Sequence, residues 1–303
     1  ARFFITQNSG IVVEDYNVPV KSLAKGDPVS LSFSWNQAFS QQIPWQQFET
    51  WWVFTDEFGK VTRTDHAFND YADTKHPWRK TETKYAVLYT YNQSGANVAS
   101  LAAATDHSIE ALSAEFGYKL LYHPHIVVYN SFRDFRDWAT AGAQEGGFIG
   151  MASGQWGGAV VAVYNSIRFT GYSIIKHELT HLFQFQSIQK SMPQWFIEGS
   201  ARAMEEIPET DNEAAVRKYV KQFGAPSLQL ALPMVSSDGS IEALPYYVGM
   251  TFIRFLKEKY GPDAFAKIHI ALARNDELSD AFKAATNHTL AELDKQWAAW
   301  IAQ

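Results

Sequence analysis

The sequence predicts an α+β protein: an N-terminal β-sandwich-like domain, then a mixed sheet with helices, then a helical C-terminal subdomain. Three patterns predict it. Short alternating apolar stretches broken by Gly, Pro and Asn run from Arg2 to about Asp73, a strand, helix, strand order follows from Ala86 to Asn130, and beyond Glu198 the apolar spacing is mainly helical. At 303 residues the chain exceeds the usual single-domain size, and 46% hydrophobic residues suffice for two cores. The expected division is 1–73 as a β-rich accessory domain, 74–84 as a linker, and 85–303 as a larger domain, with its sheet and first long motif in 85–190 and its helical subdomain in 191–303.

In the first part, Leu31, Phe33 and Trp35 alternate, and Phe54-Thr55 and Val61-Thr62 flank a turn at Asp56-Glu57-Phe58-Gly59. Trp35, Trp45, Trp51 and Trp52 raise a carbohydrate-binding role, since exposed rings stack on sugar faces. Adjacent strand residues point to opposite faces, however, so at least one of Trp51 and Trp52 belongs in a core. The polar stretch from Asp73 to Lys84, with Pro77 inside it, reads as a connector.

Ala86 to Tyr91 and His125 to Asn130 read as strands around a helix from Ala96 to Phe116, with a short helix through Phe132 to Trp138. The glycine-rich stretch from Gly142 to Gly158 lacks the spacing and the basic residue of a phosphate loop. Ala159 to Asn165 is an apolar strand, and helices follow over Glu213 to Phe223, Leu244 to Tyr260, Ala264 to Arg274 and Thr289 to Ile301.

A net charge of −6 with no Lys/Arg-rich run argues against nucleic-acid binding. Without cysteine there are no disulfides or thiolate metal sites, so His and carboxylates must bind any metal. No apolar run reaches the roughly 18–20 residues that span a bilayer, and the start at Ala1 without a signal pattern suggests a trimmed or mature chain.

The stretch richest in chemistry is Ile174 to Arg202, which holds His177-Glu178-Leu179-Thr180-His181 and then Trp195-Phe196-Ile197-Glu198-Gly199. On a helix the two histidines lie about 40° apart and Glu178 about 100° from His177, while Ile175, Leu179 and Leu182 form an opposite packing stripe. Two imidazoles one turn apart can share a Zn²⁺, but a catalytic site needs a third protein ligand and an open position. Glu198 is the candidate. Ser191 and Gln194 have capping-box spacing and Pro193 suits a first turn, so Glu198 should sit in a second helix that returns to the first. Gly199, Ser200 and Ala201 are small enough to allow a close approach.

The run from His177 to His181 followed by Pro193-x-Trp195-Phe196-x-Glu198-Gly199-x-Ala201 resembles the gluzincin zinc metallopeptidases, most closely the peptidase MA-like group of bacterial extracytoplasmic proteins. The resemblance fades outward over about Asp73 to Gly261 and implies a zincin fold, one zinc, peptide or protein substrates and a secreted or extracytoplasmic location. It implies His177, His181 and Glu198 as ligands, and Glu178 as the base that takes a proton from zinc-bound water. It also implies a Tyr near the metal at the start of the Leu244 to Tyr260 helix, where Tyr246 fits better than Tyr247 as a donor to the oxyanion. By the same resemblance, the glycine-rich stretch around Phe148, Ile149 and Gly150 falls where zincins carry a substrate-binding edge strand. One departure is visible: thermolysin-like relatives have an acidic residue four positions after the ligand Glu, and this chain has Arg202. Glu205 or Glu206 could serve instead as the carboxylate partner of a ligand histidine.

Two functions therefore stand. One is a zinc-dependent endopeptidase. The other is a non-catalytic extracytoplasmic protein that binds a glycan or protein partner, with zinc only stapling two helices. Four protein ligands would favour the staple, and three would favour catalysis.

Overall fold

The computed structural model describes residues 1–7, 13–20, 30–33, 44–45, 47–138, 149–153, 159–206 and 212–303. The first 73 residues contribute an antiparallel sheet of β1 (Arg2–Gln7), β2 (Val13–Asn17), β3 (Gln47–Thr55), β4 (Val61–Arg63) and β5 (Ala67–Asp70). Its order is β2-β1-β3-β4, with β5 also paired to β3. The turn between β3 and β4 forms because Asp56 Oδ1 accepts from the backbone N–H groups of Phe58 and Lys60, both at 2.9 Å, and Gly59 takes a φ of 82°.

Trp51 and Trp52 face opposite sides of β3, as the pleat requires. The Trp52 ring meets Phe3 edge-on, whereas Trp51 is stacked between Phe4 and His66, with centroids 5.2 Å and 4.5 Å away. Both flat faces of Trp51 are thus covered by protein, which leaves no platform on it for a sugar. Leu31 to Phe33 carry no regular structure, unlike the expected strand, and Trp35 lies outside the described residues.

The second sheet holds β6 (Arg79–Glu82), β7 (Val87–Thr90), β8 (His125–Tyr129), β9 (Gly150–Ser153) and β10 (Ala159–Val163) in the order β6-β7-β8-β10-β9. The three central strands are parallel and both edges antiparallel. Part of the stretch expected to be a connector is therefore strand. Arg79–Glu82 carries no hydrophobic alternation because an exposed edge strand needs only backbone pairing.

Period-two alternation sends Leu88, Ile126, Val128 and Ala162 to one face, where they join the main core with α1 (Gly95–Phe116). Tyr89, Val127, Tyr129 and Val163 go to the other face, under Trp45, Trp78, Trp138 and the short α2 (Phe132–Arg136). A helical turn at Ile167–Phe169 and a π-helical turn at Thr170–Ile175 lead into α3 (Lys176–Ser187), followed by α4 (Gln194–Met204). The remaining helices are α5 (Asn212–Phe223), α6 (Leu244–Tyr260), α7 (Asp263–Ala273), α8 (Leu278–Thr286) and α9 (Leu290–Ile301). Of these, α8 has no counterpart in the sequence-based expectation.

The start of α4 differs in detail from expectation. Pro193 is the N-cap residue, and its carbonyl accepts from Phe196 and Ile197 N–H, so Ser191 and Gln194 form no capping box. The helix therefore starts from an extended proline with no side-chain cap.

Candidate metal centre

Leu179 and Leu182 of α3, with Ile175 just before it, are wholly buried, which fixes the helix and turns His177 and His181 toward α4. There the Nε2 atoms of His177 and His181 lie 3.4 Å and 3.5 Å from Glu198 Oε2. All three ligand atoms fall within 4.8 Å of one another. Two donors each about 2.1 Å from a tetrahedral zinc are about 3.4 Å apart, so this spacing fits the ion.

The hydrogen bonds behind the imidazoles also suit a metal. His177 Nδ1 lies 2.9 Å from Glu205 Oε1, and a carboxylate there accepts a proton rather than gives one. Gln184 Nε2 donates to the Ile197 carbonyl at 2.9 Å, which leaves its Oε1 to accept from His181 Nδ1 at 2.8 Å. Each ring, when neutral, therefore carries its hydrogen on Nδ1 and presents a lone pair at Nε2. Of the two acidic residues that the sequence left open, Glu205 faces His177, whereas Glu206 pairs with Lys176 and His107. Arg202 Nη1 donates to both oxygens of Glu205, at 2.9 Å and 2.8 Å, and Ser173 Oγ also donates to it. The π-helical turn thus supplies one donor that holds the carboxylate. Gln184 was missed in the sequence, although its spacing three residues after His181 on a helix was a usable signal.

Burial lowers the pKa of His177, but hydrogen bonds to Glu198 and Glu205 outweigh it and hold the metal-free group up to about 10. Burial alone would raise Glu198, yet the two imidazoles bring it well below the carboxylate range. Glu178 behaves differently: its burial raises it, against the pull of His177 and His181. It is a buried carboxylate of increased basicity beside the ligand group and outside it.

Tyr246, near the start of α6, lies over His177 with the rings 12° from parallel and centroids 6.3 Å apart. Its phenol is raised by burial and then by Glu198, so it keeps its proton at neutral pH. Tyr247 instead lies under the guanidinium of Arg202. Tyr246 reaches this position because α4 and α6 cross at Gly199 and Gly249. Gly199, the first small residue after Glu198, thus serves a close approach to α6.

Of the expected edge residues, Phe148 lies outside the described residues. Ile149 is exposed, and Gly150 opens β9, an edge strand. A Cβ added to Gly150 would stand 2.6 Å from Glu178 Oε1 and 2.9 Å from Ile174 Cγ2. This glycine is therefore packed against the carboxylate. His269 and His288 lie apart from this group: His269 is buried against Ser187, and His288 lies 3.8 Å from Glu292.

No protein-family model matches the chain, and no curated protein does. Among solved structures it is similar to the M1 zinc metallopeptidase from Deinococcus radiodurans, at 14% identity and a TM-score of 0.44 over 85% of this chain and 62% of that one. A mutant form of that enzyme gives 13% identity and 0.45 over 84% and 62%. A two-domain M1 zinc metallopeptidase mutant bound to L-arginine gives 13% and 0.45 over 86% and 62%. The chain thus spans less than two thirds of the length of these structures. Among the described residues, no helix is long and apolar enough to cross a membrane.

Proposed function

We propose that the protein is a zinc-dependent peptidase with residues 85–303 as its catalytic part and 1–73 as an accessory domain. The observation that carries this reading is a donor set of three, His177, His181 and Glu198, with a buried carboxylate, Glu178, beside it. Among the described residues no fourth His, Asp or Glu joins the group, which favours catalysis over a closed structural staple.

Zinc held by these three residues would polarise the scissile carbonyl and acidify water. Glu178 takes the proton of the water whose oxygen bonds to the carbonyl carbon. It then delivers that proton to the amine nitrogen as the C–N bond breaks, which yields a carboxylic acid and an amine. The raised basicity of Glu178 suits both halves of this transfer. Tyr246 donates its phenolic hydrogen to the oxygen that gains negative charge. Glu205 and Gln184 orient the imidazoles, and the edge strand β9 from Gly150, with Ile149 before it, pairs with an extended substrate in an endopeptidase manner.

The test is metal analysis of the purified protein combined with cleavage of a peptide library. One zinc per chain is expected, with cleavage abolished by a chelator and restored by zinc; undiminished cleavage after complete metal removal would overturn the reading.

A further inference from the structure

The large apolar side chains of α3 are buried without exception but one. Leu179, Leu182 and Phe183 have no exposed surface, while Phe185 is 45% exposed. Phe185 also lies off the packing stripe. It follows His181 by four residues, which on a helix places it about 40° round and about 6 Å further along the axis, on the side that carries the metal-binding groups. Its ring confirms that placement, lying 26° from parallel with the His181 imidazole at 6.2 Å between centroids. The residue is not needed to orient His181, because Gln184 already holds Nδ1.

An apolar ring placed on the polar side of an amphipathic helix, half in water and against a ligand imidazole, loses the stabilisation its burial would bring. A substrate passing the site can restore it. Resting on the peptidase reading above, we propose that Phe185 determines specificity: it is the wall against which a large apolar substrate side chain packs, close to the bond that is cut. The reach follows from the dimensions. Extended peptide advances about 3.3 Å per residue, so a surface about 6 Å beyond His181 meets a side chain within about two residues of the scissile bond. The substrate class is therefore peptides with Leu, Phe or a similar side chain at one of those positions, in preference to Ser or Asp.

The test uses the full chain and four proteins: wild type, Phe185→Leu, Phe185→Gln, and Glu178→Gln as a binding form. Cleavage of peptide pairs that differ only by Leu or Ser at each of the two positions on either side of the cut gives the ratio of kcat/KM. In wild type the Leu peptide should be favoured at least about tenfold at one position, the range expected for filling an apolar pocket. Phe185→Leu should retain most of that ratio and Phe185→Gln should lose it, with zinc content unchanged in both. Fluorescence anisotropy of the same labelled peptides on Glu178→Gln should show the preference in Kd, and the double variant with Phe185→Gln should lose it. Wild type that cleaves, combined with an unaltered ratio in zinc-loaded Phe185→Gln, overturns this inference alone. Zinc-loaded wild type that cleaves no peptide overturns the peptidase reading and this inference together.

Discussion

Gly199 and Gly249 meet backbone to backbone where α4 crosses α6. A Cβ on Gly199 would lie 2.3 Å from Gly249 Cα, and one on Gly249 would lie 1.8 Å from the Trp195 carbonyl oxygen. The crossing links two parts of the candidate site, since Glu198 precedes Gly199 on one helix and Tyr246 lies one turn before Gly249 on the other. Neither helix can yield to an added methyl group without moving its backbone. Gly249→Ala is expected to destabilise the protein by about 3 kcal/mol or more, as forced overpacking does. Chemical denaturation checks this. Loss of cleavage in the fraction that stays folded is expected as well, because the shift displaces Tyr246.

Glu205→Ala should weaken zinc binding by about 10- to 100-fold, the usual effect of removing the partner of a ligand histidine. Arg202 and His177 are both left without the carboxylate they share. Glu206→Ala, which removes only the contacts to Lys176 and His107, should leave zinc affinity within about twofold. Competition with a chromophoric chelator measures both.

The difference between those two glutamates marks how far the sequence could be read. His177, Glu178 and His181 declare themselves because one helical turn sets their relation, and Glu198 because a second helix begins shortly after the first ends. Glu205 against Glu206, and Gln184 behind His181, depend on how α4 and the π-helical turn pack, which spacing along the chain does not encode. Gly150 is similar: as an edge residue its glycine reads as strand or loop, and only the fold brings Glu178 against it. In the architecture, the apolar alternation of β7, β8 and β10 and the long helices were legible. The polar edge strand Arg79–Glu82 and the short α8 were not, since neither carries a pattern that distinguishes it from a connector.

Gly150→Ala should lower kcat/KM with zinc content near wild type, and should also cost the fold some stability. The added methyl group would lie 2.6 Å from Glu178 Oε1 and 2.9 Å from Cγ2 of the buried, β-branched Ile174, so the carboxylate is pushed from its place for proton transfer and Ile174 must shift as well. A fall of about 10- to 100-fold in kcat/KM is expected, measured with a fluorogenic peptide.

Zinc uptake should release a proton at neutral pH. In the metal-free protein His177 is held up to about 10, so it is protonated at pH 7 and must lose that proton before Nε2 can bind. Affinity should therefore rise with pH across the neutral range and level off as the pH passes that value. Calorimetry in buffers of different ionisation enthalpy reads the proton count directly.

A second pH effect concerns the fold. His269 is buried among Phe116, Phe196 and Phe265, and burial pushes it down to about 3. Between that value and the unfolded value of about 6.5, the unfolded chain binds a proton that the folded chain does not. Stability must therefore fall as pH drops through this window, by up to about 1.4 kcal/mol per pH unit from this residue, and be unaffected by it above about pH 7. Denaturation of His269→Phe across pH 4 to 7 should show a shallower acid limb than wild type.

The central claim is that Glu178 moves the proton and does not hold the ion, and Glu178→Gln tests it most directly. Zinc content and peptide cleavage are measured on the same preparations of wild type and variant. The variant should carry one zinc per chain with wild-type affinity and cleave at least about 10²- to 10⁴-fold more slowly, since an amide cannot accept the proton. Turnover equal to that of wild type, or loss of the metal from the variant, would contradict it.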